Sequence, residues 1–554
     1  MRARRHVYAL VPLAVGALVC GVVIVGVALT LLPAFVAPTA AGSGAPGVDA
    51  WRALMALPGI GADVAFTLAT AAGATLASFF VACSIGAWAI TPRRRNWALV
   101  VAASIAAIPA AALAAGVAEL TTSAAVLSAA MGWGASPSGE PVGTGMLVVA
   151  LCLKVAPFLA AMMLIAVSRP GVDRHAAAAR TLGYAHAEAF AKLILPQVYR
   201  FMRLPVCAAL AWSLSAIGAE AFAVPMRRIP LAGIAWRGLS AGSVAERSEG
   251  AAAAGLVLAF TVAAIVAYFV LERIVRRAGR AWQKSGRRGR SSSVLAGLGL
   301  ATSAVGLAVV VASLGTLVAA ASSAGGLVGP AATAAASPLA TGVVTTLAIA
   351  VVATLAAVVV AVGCLEAEDR SRRRSAWPML LWAPWVVPQI AFLPGIAWVL
   401  SDVGLRAPLV VAIASQLVFV IPCVALAVVV PWRALDPRYV QCAEALRAAP
   451  RRVLARIKLP LVAQPVAIAC ALAFAVSAGL FLPVRLTVPE RIATLESDVV
   501  SSARAPVSNE AALAATLLAL VPAGLVAIAV AVGVAPQRRA QPAMASAAWQ
   551  SAAG

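Results

Sequence analysis

Residues 341–364 read TGVVTTLAIAVVATLAAVVVAVGC, with no charged side chain among them. An α-helix rises about 1.5 Å per residue, and the hydrocarbon core of a bilayer is about 30 Å thick, so about 20 such residues suffice to cross it. This run is long enough, and Glu366, Glu368, Asp369 and Arg370 close it at one end. Working outward in both directions, comparable runs lie near 8–32, 64–90, 97–118, 145–168, 204–225, 250–271, 293–320, 377–400, 407–431, 462–484 and 511–534. The spacing predicts an all-α polytopic membrane protein with about twelve transmembrane helices. Ten-residue alternating strands, which a membrane β-barrel requires, are missing from the sequence.

Composition agrees with a chain dissolved largely in lipid. Of the 554 residues 62% are hydrophobic and 11% charged, against about half and about a quarter in soluble domains. A net charge of +23 would suggest nucleic acid if it lay on one face of a soluble domain. Here the arginines sit in short clusters between apolar runs, and nucleic-acid binding is excluded on that ground. The eight cysteines form no C-x-x-C pair and read as small apolar residues. His6, His175 and His186 are too scattered for a metal site.

The clusters orient the chain. Met1-Arg2-Ala3-Arg4-Arg5-His6 precedes the first run, which is too long for a cleaved signal and reads as a retained signal anchor. With that end inside, 33 of the 43 Lys and Arg fall in cytoplasmic segments, among them Arg93-Arg94-Arg95, the loops 169–203 and 432–461, and the linker that begins at Arg273. The positive-inside rule therefore selects cytoplasmic N- and C-termini in an inner membrane. Ala, Gly and Val dominate the runs, which lets helices approach closely.

The chain also repeats itself. Arg95, Pro109 and Gly116 recur as Arg374, Pro388 and Gly395 at identical spacings, and Ala179, Leu182, Leu195 and Pro196 recur at one constant offset as Ala443, Leu446, Leu459 and Pro460. Arg228-Ile229 is echoed by Arg491-Ile492. Six runs per copy is an even number, so the two six-helix repeats enter the membrane in parallel, unlike inverted repeats. The units expected are 1–272 and 293–536, joined by a basic cytoplasmic linker 273–292 and followed by a tail 537–554.

Two polar loops hold the most information. The first runs Ala177-Ala178-Ala179-Arg180-Thr181-Leu182-Gly183 through Leu193 to Leu195-Pro196; the second runs Gln441-Cys442-Ala443-Glu444-Ala445-Leu446-Arg447 through Ile457 to Leu459-Pro460. Both resemble the EAA loop of ABC-importer permeases: Glu-Ala-Ala, three residues, Gly, nine residues, Ile, one residue, Leu-Pro. Ala177 and Gln441 replace the Glu, and Arg447 replaces the second Gly. The spacing suits a short helix, a turn and a second helix ended by Pro, a hairpin that fits a groove of a soluble partner. At the turn Gly183 can take positive φ freely, whereas Arg447 is expected to cost energy or force another turn, making the two loops unequal.

The resemblance covers nearly the whole chain, and single-chain fusions of this type are similar to the permeases of ferric iron, thiamine and related importers. It implies two copies of a separate ABC ATPase on the two loops and a periplasmic solute-binding protein outside. Consistent with that, the sequence has no G-x-x-x-x-G-K-[ST] loop, so ATP is used by the partner subunit and no cofactor is expected on this chain, which is not itself an enzyme. Charges within spans are functional candidates by default. Lys154 in the fourth run and Glu220 near the outer end of the fifth could pair along a solute path, Lys154 alternatively snorkelling or making a buried structural pair. Arg228, Arg237, Arg491, Glu496 and Asp498 in the outer loops either meet the binding protein or are solvated. Pro109, Pro384, Pro388 and Pro394 predict kinks beside the path. An ion-gradient-driven secondary transporter is the alternative, and the parallel repeat argues against it. A membrane enzyme would need a His, Asp or Cys cluster in the spans, which the sequence does not supply.

Overall fold

Lipid offers the backbone no partner, so each apolar run closes its hydrogen bonds along its own axis. The computed structural model describes residues 2–36, 47–130, 144–168, 172–184, 186–216, 228–284, 292–323, 338–402, 407–488, 492–502 and 509–552. These are helical almost throughout, with no extended strand among the described residues. Nine helices among them are long and apolar enough to cross a bilayer, and two bent pairs raise the number to eleven. The run expected at 377–400 is the exception, being broken into short pieces.

In chain order the first half contains α1 (Arg2–Phe35), α2 (Asp49–Ala56), α3 (Ile60–Trp88), α4 (Pro92–Ala107), α5 (Ala110–Ala130), α6 (Thr144–Val167), α7 (Val172–Thr181), α8 (His186–Ala189), α9 (Leu195–Leu214), α10 (Leu231–Leu239) and α11 (Val244–Lys284). The second half contains α12 (Ser292–Ser323), α13 (Pro338–Ser371), α14 (Trp377–Leu380), α15 (Ala383–Val386), α16 (Leu393–Asp402), α17 (Pro408–Arg433), α18 (Pro437–Ala445), α19 (Pro450–Val453), α20 (Leu459–Leu461), α21 (Ala463–Ala478), α22 (Phe481–Thr487), α23 (Leu495–Ser502) and α24 (Asn509–Ala552). The linker expected at 273–292 begins as a continuation of α11, and α24 continues through the stretch read as a tail.

Each half is built around a packed trio of helices, α3 with α6 and α9, and α13 with α17 and α21. The third run of each half is interrupted where proline removes a backbone donor. At Pro109 the axis turns by 90° between α4 and α5. Around Pro384, Pro388 and Pro394 the chain passes through α15, a short 3₁₀ turn at Gln389–Ala391 and α16. Each broken segment lies against the fifth run of the other half, α15 against α9 and Pro109 against Gly479 at the end of α21.

The first helix of each half crosses over to the other half. α1 packs on α13 and α16, and α12 packs on α3 and α5. The crossing is close because glycines meet there. A Cβ on Gly395 would overlap the Gly26 carbonyl, and the Gly395 N–H donates to Thr30 Oγ1 at 2.8 Å. On the other side a Cβ on Gly116 would come within 2.9 Å of the Ser313 carbonyl.

Matched hydrogen bonds tie the segments that begin at Arg228 and Ile492 to the trios. The Leu231 N–H donates to Thr67 Oγ1 at 2.9 Å, and the Leu495 N–H to Thr346 Oγ1 at 3.0 Å. Thr67 and Thr346 stand in the same register as Arg95 and Arg374, and Leu231 and Leu495 stand in the register of the polar loops.

The Gly26–Gly395 contact gives a test. Gly395→Ala is expected to lower stability by about 1–3 kcal/mol, the cost of overpacking a filled interface. Gly21→Ala on the same helix α1, where a Cβ meets nothing within 4 Å, is expected not to lower it. Thermal unfolding in detergent compares the two.

Candidate functional site

The two polar loops fold alike. In each, a short helix (α7 or α18) stops at a residue in the left-handed region, Gly183 at φ 79° and Arg447 at φ 54°. The same two hydrogen bonds close both turns. The Leu182 N–H donates to the Ala178 carbonyl at 3.1 Å and the Tyr184 N–H to the Ala179 carbonyl at 3.0 Å; Leu446 donates to Cys442 and Ala448 to Ala443 at the same lengths. This pair of bonds occupies carbonyls that a helix end otherwise leaves open. Of the two outcomes expected for Arg447, an energetic cost or a different turn, the structure has the first, because the turn is the same. The backbone bonds hold an arginine where its neighbour loop has glycine, at a conformational cost of about 1–2 kcal/mol.

After the turn the chain departs from the expected hairpin. Pro196 and Pro460 do not end a helix; each follows a π-helical turn, Phe190–Ile194 or Leu454–Lys458, and stands in the first turn of the next helix. The N–H of the residue before each proline reaches back five residues, Leu195 to the Phe190 carbonyl and Leu459 to the Leu454 carbonyl, and this wider π turn makes room for the ring that a regular α-turn would clash with. In the first half the helix then runs on, Phe190–Leu214 forming one span, whereas in the second it bends by 76° between Pro450–Leu461 and Ala463–Ala478. Pro465 stands in the first turn of α21, and the first half has Phe201 at the position in register with it. Its ring excludes a continuous helix through Leu461.

Burial follows the same pattern in both loops. Ala177, Ala178, Leu182, Gly183 and Pro196 are exposed, as are Gln441, Cys442, Leu446, Arg447 and Pro460. Ala179 and Ala443 are buried, and Leu195 and Leu459 are half-buried. Leu182 is 55% and Leu446 83% exposed. Each loop thus presents an exposed leucine, beside Ala177 and Ala178 in the first and beside Gln441 and Cys442 in the second, a knob suited to a groove on another protein.

What lies beneath the loops differs. Under the first, Phe190 and Ile194 join an apolar core with Met163, Val172, Ala176, Val198 and Met202. A buried Lys192–Glu188 ion pair at 2.9 Å braces the π turn from within. Under the second, the buried Lys458 Nζ donates to Glu366 Oε2 and Asp369 Oδ2, both at 2.7 Å. Those carboxylates belong to a larger cluster at the end of α13. Trp432 Nε1 donates to Asp369 at 3.0 Å, Trp377 Nε1 to Glu368 at 2.7 Å, and Arg433 to Glu368 at 2.9 Å. The root of the second loop is therefore fastened to α13, α14 and α17 by charge-assisted bonds. In the sequence these acids only mark the end of a run, although three acids within four residues of a chain holding 20 in all are a signal that their charges are partnered.

Lys154 meets backbone. Its Nζ donates to the carbonyls of Ala106 at 3.0 Å and Ile108 at 2.5 Å. These carbonyls lie at the end of α4, where Pro109 interrupts the ladder, so the ammonium caps the negative end of a broken helix inside the membrane. Glu220 and Arg491 lie outside the described residues. Among the residues expected in outer loops, Arg228 pairs with Asp63 at 3.5 Å, and Glu496 is buried rather than solvated.

Three changes test the loops and their footing. Arg447→Gly removes the left-handed penalty and is expected to stabilise the second turn by about 1 kcal/mol, while Gly183→Val destabilises the first, both read by thermal unfolding. Lys458→Met leaves Glu366 and Asp369 short of a cation and is expected to cost about 2–3 kcal/mol, less than a fully buried pair because Asp369 is partly exposed. Hydrogen exchange should then accelerate in 437–461 and remain slow in 172–194; equal acceleration in both would show that the cluster does not act locally.

The chain is similar to the inner membrane ABC transporter permease protein YnjC of Escherichia coli (strain K12), with 24% identity over 373 residues that cover 66% of this chain and 67% of that protein. No protein-family model matches the chain. No solved structure matches it.

Proposed function

We propose that the chain is the transmembrane permease subunit of an ATP-driven ABC importer of the bacterial inner membrane. It comprises two tandem permease units, 1–272 and 293–536, in one polypeptide, the fused organisation that the resemblance to ferric iron and thiamine permeases implies. The observation that carries this reading is the duplicated loop: a short helix, a left-handed turn, a π turn and Leu-Pro, with an exposed leucine at the turn, present in the same register in both halves. The similarity to an ABC transporter permease supports it.

In this reading each loop seats one copy of a separate ATPase subunit, with Leu182 and Leu446 as the knobs and Ala177, Ala178, Gln441 and Cys442 beside them. Both termini and both loops face the cytoplasm, as the distribution of Arg and Lys favours. A periplasmic solute-binding protein delivers solute at the opposite face, and ATP is hydrolysed by the partner. Closing of the ATPase pair draws the loops together. The first loop passes that movement to α9 directly, through an unbent helix; the second passes it through a 76° bend and through Lys458 to α13. The bundle then alternates access between the two faces along the broken segments at Pro109 and Pro388.

Co-purification with a candidate ABC ATPase subunit tests the docking. Leu182→Asp and Leu446→Asp together put two carboxylates into apolar grooves and are expected to abolish association, each single change weakening it at least tenfold, about 1.4 kcal/mol. Association that survives the double change sinks the assignment. Transport by the reconstituted assembly should follow ATP and be indifferent to a proton uncoupler, the reverse of what an ion-gradient transporter would show.

A further inference from the structure

Beside the second loop, on the outside of the bundle, α1, α13 and the start of α20 enclose a groove of about 460 Å³. One wall is a stripe of α13 that faces away from the protein. Leu355 and Val359 are 60% and 72% exposed, and Gly363 continues the stripe one turn on. A Cβ at Gly363 would meet nothing within 4 Å, so the missing side chain is itself part of the hollow. The stripe ends in charge. Arg370 lies at its end, donating Nε–H to Glu366 Oε1 at 2.8 Å with its guanidinium 5.6 Å from the ring centre of Tyr8 on α1. Leu454 and Leu459, from the root of the second loop, close the far side.

The dimensions suit one kind of occupant. From Val359 to Arg370 is eleven residues, about 16 Å along a helix, close to the roughly 15 Å depth of one hydrocarbon leaflet. An acyl chain lying on Val359 and Gly363 therefore brings its headgroup level with Arg370. Charge there is positive on balance. Glu366 and Asp369 are matched by Arg370 and Lys458, and Arg372 and Arg373 stand exposed just beyond. Arg2, Arg4 and Arg5 precede Tyr8 in the sequence. Arginine offers a phosphate two parallel N–H groups, and only Nε is committed to a carboxylate. A zwitterionic headgroup would bring its own ammonium among these arginines. At the positions of the first half in register with Glu366 and Arg370 stand Ala87 and Thr91, so the second half alone has this arrangement.

We propose that the groove binds an anionic phospholipid, its phosphate on Arg370 beside Tyr8 and one acyl chain running along Val359 and Gly363 against Leu454 and Leu459. Because Glu366 holds both Arg370 and Lys458, the bound lipid steadies the root of the second loop and not of the first.

Native mass spectrometry of the intact chain, with phosphatidylglycerol or phosphatidylcholine of the same acyl length added in detergent, reads the binding directly. The wild type is expected to retain phosphatidylglycerol about fivefold better, the worth of one arginine beside an anionic headgroup. Arg370→Gln removes that preference. Gly363→Phe fills the hollow without displacing protein atoms and abolishes retention of both lipids. Gly524→Phe, also at a position where a Cβ meets nothing, changes neither. Equal retention of the two lipids by the wild type, or unchanged retention by Gly363→Phe, overturns the proposal; should Arg370→Gln fail to fold, the Gly363 variant decides.

Discussion

Inside hydrocarbon a backbone N–H or carbonyl has no water to turn to, and an unpaired one costs several kcal/mol, on the order of a whole protein's margin of stability. The two interrupted runs, at Pro109 and around Pro388, both answer to that constraint. The break at Pro109 leaves carbonyls open at the end of α4, and Lys154 donates to two of them from α6. The break around Pro388 is folded into a 3₁₀ turn whose Ile390 and Ala391 are buried within protein. Irregular backbone survives only where other helices cover it, which places both breaks where the halves meet.

The same constraint governs how the halves hold together. Lipid gives helices little reason to associate beyond close contact and polar bonds, so the crossing of α1 onto the second half and of α12 onto the first depends on small residues. Gly26 and Gly395 permit backbones to touch, and Thr30 turns that touch into a hydrogen bond. The exchange makes each half incomplete without the other, because the first helix of either is part of the other's wall.

The two loops have the same outline on different footings. Two backbone bonds in each loop, of lengths that match between the loops, shape the turns, so the outline does not depend on whether glycine or arginine stands at the left-handed position. The footing depends on side chains. Phe190 and Ile194 rest in an apolar core, which yields by small adjustments of packing, whereas Lys458 is tied to Glu366 and Asp369, bonds that are either made or broken. The first loop stands on a straight helix, apolar packing and a local Lys192–Glu188 pair; the second stands on a bend and on an ion cluster that ties it to other helices. The groove at Arg370 adjoins that cluster, so whatever fills it bears on one loop only.

Much of this was legible in the order of residues. Apolar runs of about 20 residues have few stable forms in lipid, so helices followed from composition; the run at 341–364 became part of α13 with no charge out of place. The constant offsets from Arg95 to Arg374 and from Ala179 to Ala443 showed the repeat, because a duplicated fold keeps its turns and prolines in register. Thr67 with Thr346 extends that frame to a bond that spacing alone does not reveal. The loops were found from spacing, since a helix, a left-handed turn and a Leu-Pro step occupy fixed lengths of chain. What the sequence could not decide was anything set by which distant atoms come into hydrogen-bonding reach. Arg447 adopts positive φ because backbone bonds formed four and five residues apart outweigh a local preference. That Lys154 donates to the carbonyls of Ala106 and Ile108 on another helix is visible only once the chain has folded. The acids at 366–369 look like a span end in the sequence, and only the packing of α13 against α17 and the second loop makes them its anchor. Periodicity and spacing act along the chain and can be read there; partners for buried charge are a property of the closed fold.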